Sequence, residues 1–139
     1  VPRVVVGFGQ DTSVGAVPCG GEYLGGALAP GLEVSLEALT SRAGRLSRVD
    51  LYEPEAVIGK TTSGSLRSGV IYGFAGLVDG LVTRFQEELA GEQSGIKAAT
   101  IATGGLADMV VPHTATLSRV DPLLTLKGLK LVHERNERN

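Results

Sequence analysis

Three short strand-like runs punctuated by glycines, then a switch to helical spacing at Gly31, constrain this chain more than any other feature. Arg3 to Phe8 holds three consecutive valines and closes with Gly7 and Gly9 around its end, which reads as a β-strand. Gly15 to Val17 is a short second strand candidate, followed by the turn Pro18–Gly21. Glu22 to Ala29 is a third, in which Gly25-Gly26 implies a bulge or a close neighbour. Strands this closely spaced imply an antiparallel meander.

From Gly31 the apolar period changes. Leu32, Leu36, Leu39 and Ala43 recur at helical spacing and predict a helix from Gly31 to Leu46. Pro54 interrupts a short extended segment, Val49 to Ile58. A long helix is expected from Ser65 to about Leu89, with Leu66, Val70, Phe74, Leu77, Leu81 and Phe85 on its inner side. Lys97 to Ala102 reads as a strand that ends in the turn Thr103-Gly104-Gly105, with a short helix to Val110. Thr116 to Val120 reads as another strand, and Pro122 opens a final helix to about Arg135, proline being tolerated in a first turn. Strands first, then strands alternating with helices, predict an α/β fold: a mixed sheet with flanking helices. That order matches a ribonuclease-H-like half-domain, two copies of which build the actin and sugar-kinase architecture. One copy is present here, as a single domain over residues 1–139.

Gly69, Gly73, Gly76 and Gly80 sit at spacings of four, three and four within the long helix, so they line one face. Each helical glycine costs roughly 0.5–1 kcal/mol relative to alanine, so four on a stripe call for an offset in close backbone contact. Contact with the chain's own sheet or helices and contact with another subunit explain the pattern equally well.

Composition excludes several classes of function. The chain is 42% hydrophobic and 20% charged, a globular balance, and its net charge of −2 gives no broad attraction for nucleic acid or an anionic membrane. The single cysteine, Cys19, cannot form an internal disulfide, and no apolar run reaches membrane-spanning length, so a cytoplasmic location is expected. Lys127, Lys130, Arg135 and Arg138 alternate with Glu134 and Glu137 and read as a solvated helix face. His113 and His133 have no metal-ligand spacing around them, and neither Glu53 with Glu55 nor Glu87 with Glu88 forms a recognisable acid–base site.

Blocks of sequence carry a more specific signal. Gly21-Glu22-Tyr23-Leu24-Gly25-Gly26-Ala27-Leu28-Ala29-Pro30-Gly31-Leu32 and Val57-Ile58-Gly59-Lys60-Thr61-Thr62 come first. Ser68-Gly69-Val70 and Gly73-Phe74-Ala75-Gly76-Leu77-Val78-Asp79-Gly80 follow, then Ala102-Thr103-Gly104-Gly105-Leu106-Ala107 and Val120-Asp121-Pro122-Leu123-Leu124-Thr125-Leu126-Lys127-Gly128-Leu129. In this order and spacing, from about Val4 to Asn136, the chain resembles the C-terminal half of the type III pantothenate kinases.

The resemblance implies transfer of the γ-phosphoryl group of ATP to the hydroxyl of pantothenate, the first step of coenzyme A synthesis. It implies a divalent metal with the nucleotide, a monovalent cation (potassium or ammonium), and a homodimer with its active sites near the interface. Thr62 matches the threonine that contacts pantothenate across the dimer. Gly9, Gln10, Thr103, Gly104 and Gly105 match nucleotide-side positions, and Gly69, Gly73, Gly76 and Gly80 become the expected interface.

Departures from the family pattern are as specific. The family's Asp-Phe-Gly-Thr on the first strand is Gly7-Phe8-Gly9-Gln10 here, so no side chain stands at the cation-binding aspartate and the metal set is empty. Gln10 replaces the threonine that touches ATP, Gly15 replaces a second-strand aspartate, Thr61 an asparagine and Gly64 a glutamate. The family base belongs to a Gly-x-Asp-Arg segment upstream of the first strand, and the first phosphate motif lies further upstream. Neither is in this sequence, whose expected N-terminal partner domain is therefore missing, and no residue of the chain is assigned as catalytic. Loss of one positioned acid–base group costs ~10²–10⁴ in rate, so the chain alone is expected to be inactive. Two readings follow: a kinase half that needs its remainder, or a degenerate, non-catalytic homologue acting as a dimerisation or ligand-binding module.

Overall fold

The computed structural model describes residues 1–42, 50–92 and 96–138. Its elements are β1 (Arg3–Phe8), β2 (Asp11–Val17), β3 (Gly25–Pro30), α1 (Leu32–Arg42), α2 (Thr62–Glu92), β4 (Ala99–Thr103), α3 (Ala107–Val110) and α4 (Leu124–Glu137), with a 3₁₀ turn at Val111–His113. Among the described residues the strands form one sheet in the order β3-β2-β1-β4, the first three antiparallel and β4 parallel to β1. The mixed sheet with flanking helices is thus the architecture observed.

Alternation along β1 and β2 sets the core. Val4, Val6 and Phe8 point to one face and pair with Ala16, Val14 and Thr12, all of them buried. That face packs on α2 through Val70, Ile71, Phe74, Ala75, Val78 and Val82. Of the inner residues expected for α2, Leu66, Val70 and Phe74 are buried, whereas Leu77, Leu81 and Phe85 sit at the core's margin. Ile71, Ala75 and Val78 fill the centre, because residues a small step around the helix from the leucine stripe face the sheet most directly.

Several boundaries differ from the sequence reading. β2 begins at Asp11 rather than Gly15, since the chain folds back through Gly9, Gln10 and Asp11 into register at Phe8↔Thr12. β3 begins at Gly25 and contains no bulge: Gly15↔Gly26 and Ala16↔Gly25 pair in unbroken register. The close neighbour is real, because a β-carbon on Gly26 would strike the Val14 carbonyl. No strand forms at residues 50–58, and residues 43–46 and Val49 lie outside the described residues. Thr116 to Val120 contributes one parallel bridge, Ala102↔Val120, instead of a strand. The cause is Asp79, whose carboxylate accepts the N–H groups of Ala115 (2.8 Å) and Thr116 (3.0 Å) that a ladder would have used.

The glycine stripe faces away from the core. At 100° per residue Gly69, Gly73, Gly76 and Gly80 lie opposite Ile71, Val78 and Val82. A β-carbon on Gly69, Gly73 or Gly76 would meet nothing within 4 Å, and on Gly80 only the Arg84 guanidinium at 3.5 Å. Contact with the chain's own sheet or a neighbouring helix, one of the two explanations of the stripe, is therefore excluded among the described residues. No helix there is long and apolar enough to cross a membrane.

Candidate functional site

Two glycine turns meet at the ends of β1 and β4. Gly7 pairs with Thr103 in the parallel register, so the turn through Gly9 and Gln10 lies beside the turn through Gly104 and Gly105. Gly104 has φ 105°, and any side chain there would collide with the Phe8 carbonyl and main chain. Only glycine combines that backbone angle with that approach. Gly31 closes a third side: a β-carbon on it would strike the Gln10 carbonyl and lie against the Gly9 carbonyl. The structure thus gathers Gly9, Gln10, Thr103, Gly104 and Gly105 into one main-chain junction at the mouth of α1.

Thr62 stands elsewhere. It is the first residue of α2, three positions earlier than the sequence suggested, because Thr61 caps the helix: its Oγ1 accepts the Gly64 N–H at 3.0 Å and its carbonyl the Ser65 N–H at 2.9 Å. Capping by Thr61 leaves the Thr62 hydroxyl without a protein partner among the described residues. It opens into a cleft of about 800 Å³ lined by Ser35 and Leu39 of α1 and by Gly59, Lys60, Ser65 and Gly69. A cavity of this size, mostly apolar with a few polar groups, suits a small molecule. α1, which begins one residue after the Gly31–Gln10 approach, lines the cleft with Ser35 and Leu39. Gly69 belongs both to the cleft wall and to the open stripe.

Reading the sequence by motif missed Lys60 and Ser35 as cleft residues. Lys60 sits within the quoted Gly59-Lys60-Thr61-Thr62 block, so its position was visible though its role was not. Ser35 carries no motif and is placed only by the packing of α1 on α2. Asp79 was also missed. Besides the two amides it accepts the Thr116 hydroxyl at 2.5 Å, and it ties α2 to the segment after the 3₁₀ turn.

The space beside Gly7 and Gly15 is filled by neighbouring side chains. A β-carbon on Gly7 would lie 2.6 Å from Ser13 Oγ, and one on Gly15 would lie 3.1 Å from the Tyr23 ring. Gly7 itself offers a cation no side-chain ligand. His113 Nε2 lies 2.9 Å from Glu53 Oε1 and its ring packs edge-on to Tyr72 at 5.0 Å. Among the described residues no three His, Cys, Asp or Glu side chains cluster as a metal site.

The fold and the paired turns define an α/β domain that presents a glycine-lined junction and a separate, mostly apolar cleft. Residues 1–84 match the sequence profile of the type III pantothenate kinases. A type III pantothenate kinase of Frankia alni is 53% identical over 97% of this chain, and one of Moorella thermoacetica is 47% identical over the same share. The chain belongs to the type III pantothenate kinase family. It spans about half the length of these relatives, 52% and 51% respectively. A crystal structure from Campylobacter jejuni assigned to the Baf family of transcriptional activators superposes with a TM-score of 0.64 at 20% identity, covering 99% of this chain and 59% of that one, a likeness of fold.

Proposed function

We propose that this chain is the nucleotide- and pantothenate-binding C-terminal half of a kinase that phosphorylates pantothenate with ATP, and that it requires the family's upstream half for turnover. In fold terms it is a ribonuclease-H-like half-domain of the actin and sugar-kinase type, a single domain working in the cytoplasm. One observation carries the reading: the Gly104–Phe8 main-chain approach sets two glycine turns side by side, leaving backbone amides free of side chains where phosphate groups can approach. Phosphoryl transfer asks the protein chiefly for positioning and charge neutralisation, and these turns supply the first.

In this reading Gly9, Gln10, Thr103, Gly104 and Gly105 take the nucleotide, whose phosphates bring the divalent metal. The Thr62 hydroxyl donates to and accepts from pantothenate in the cleft beside Lys60. The open stripe at Gly69, Gly73, Gly76 and Gly80 forms the homodimer face, which places each cleft at the subunit boundary. No step is routed through a monovalent cation, since Gly7 offers it no ligand.

Pantothenate-dependent ADP release with magnesium and ATP, run in potassium and in sodium, tests this together with calorimetric titration of each ligand. Binding of nucleotide and pantothenate without turnover is expected. A rate well above background would mean that another group replaces the missing base. Absence of binding by either ligand in a folded sample would favour the degenerate, non-catalytic module, a reading to which the filled positions beside Gly7 and Gly15 lend support.

A further inference from the structure

We infer that Arg67 and Ser68 are positioning residues: together they clasp residues 50–58 against α2 and so set where Lys60 stands in the cleft. The inference deepens the proposed function and rests on its reading that pantothenate occupies this cleft. Lys60 is the one charged side chain lining the cleft among the described residues, and pantothenate is an anion. The place of that ammonium group therefore bears on affinity. No side-chain bond or ion pair of Lys60 itself fixes it among the described residues.

Residues 50–60 lead into α2 without helix or strand. Among the described residues none of their main-chain N–H and C=O groups bonds another main-chain group. Burial holds little of the segment: Pro54 is buried and Leu51 packs at the core's margin, but Tyr52, Val57 and Ile58 are 51%, 65% and 80% exposed. Side chains do the rest. Arg67 Nε donates to the Asp50 carbonyl (3.0 Å), and its guanidinium lies over the Tyr52 ring with Cζ 3.5 Å from the centroid. Ser68 Oγ donates to the Val57 carbonyl, two residues before the cleft begins at Gly59. Ser65 Oγ adds a long bond to the Gly59 carbonyl (3.3 Å), and Glu53 Oε1 lies 2.9 Å from His113 Nε2.

Arg67 and Ser68 are adjacent, so their side chains leave α2 about 100° apart and grip the segment at its start and near its end. A planar guanidinium donates from its edge while its face rests on a ring, which lets one side chain make both contacts at the start. Ser68 departs from the usual habit of a helical hydroxyl, which is to turn back on a carbonyl one turn earlier. Thr40 of α1 does so, bonding the Leu36 carbonyl. Ser68, although buried, reaches 11 positions back to Val57. Neither Arg67 nor Ser68 lines the cleft, so both act on a ligand there through Gly59 and Lys60.

Calorimetric titrations with pantothenate and, separately, with ADP compare the parent chain with the double variant Arg67→Met, Ser68→Ala. Pantothenate affinity is expected to fall about tenfold, the size of one lost charged contact, while ADP affinity holds, since the glycine junction lies on β1 and β4. Tyr52→Leu should weaken pantothenate binding in the same direction, whereas Tyr52→Phe, which keeps the ring face, should retain the parental affinity. Trypsin reads the clasp without ligand: cleavage after Lys60 is expected to quicken at least tenfold in the double variant while cleavage after Lys97 keeps its rate. Equal pantothenate affinity in parent and double variant overturns the inference, as does an equal loss of pantothenate and ADP. If the parent binds no pantothenate, the proposed role of the cleft fails. Equal cleavage after Lys60 then overturns the clasp as well, and faster cleavage in the variant upholds it.

Discussion

The Tyr23 ring lies over Gly15, 3.1 Å from where a β-carbon on that residue would stand. A tyrosine on the loop before β3 thereby covers the space beside a β2 glycine. Gly15→Asp pushes the ring outward, and because Tyr23 is 70% exposed it can yield. The substitution should cost about 1 kcal/mol, at the low end for overpacking, and Tyr23→Ser in the same chain should return most of it. Urea unfolding of the single and double variants measures both.

Position 104 is less forgiving. Gly104→Ala forces a side chain into a positive-φ conformation and against the Phe8 main chain. The expected loss is about 3 kcal/mol, the upper range for a strained backbone site, read as a lower urea midpoint with an unchanged slope. If nucleotide binds at this junction, the affinity of the folded fraction should fall as well.

Thr61 and Thr62 should separate stability from binding. Thr61→Ala removes the cap of α2 and should cost about 1 kcal/mol in thermal or urea unfolding. Thr62→Val alters an unpartnered hydroxyl, so unfolding should be unchanged while pantothenate binding by calorimetry weakens at least tenfold. Equal effects of the two on unfolding would contradict the assignment of the cap.

Asp79 holds the segment at Ala115 and Thr116 through three bonds to a charged carboxylate. Asp79→Ala leaves two amides without their acceptor, and a loss of about 1.5–3 kcal/mol is expected in urea unfolding. Proteolysis between residues 111 and 117 should quicken in parallel.

Asp121 introduces a pH dependence. The Lys127 ammonium that donates to it, aided by the Leu123 N–H, holds its carboxyl below the ordinary carboxylate value. Because the folded-state value is the lower one, the contribution is complete above the unfolded-state value of about 4 and is lost as pH falls through the folded value. Asp121→Asn should lower helix content slightly at neutral pH and flatten its acid limb below about pH 4, so that the two proteins converge in acid, as circular dichroism would record.

The parts legible in the sequence were those governed by local rules. A run of valines between glycines marked β1 to its ends, the Pro18–Gly21 turn appeared with its Gly21 N–H on the Pro18 carbonyl, helical spacing found α1 and α2, and Pro122 signalled α4. Tertiary effects stayed hidden. Thr116 reads as strand, yet Asp79, 37 positions earlier, takes its amide. The stripe on α2 could be seen as a stripe, while its orientation away from the sheet required the packed core. At the candidate site, motif resemblance located the glycine turns and Thr62, but Ser35 enters the cleft only by the way α1 lies on α2.

A difference in kind separates the three glycines at the altered site. Gly7 and Gly15 are crowded by the movable side chains of Ser13 and Tyr23, whereas Gly104 is crowded by the main chain itself. Rewriting neighbouring residues can reopen the first two positions to aspartate; no rewriting can admit a side chain at the third while β1 and β4 stay paired. Positions 7 and 15 can thus change together with their neighbours, while the turn at Gly104 must stay glycine for as long as the two strands stay paired.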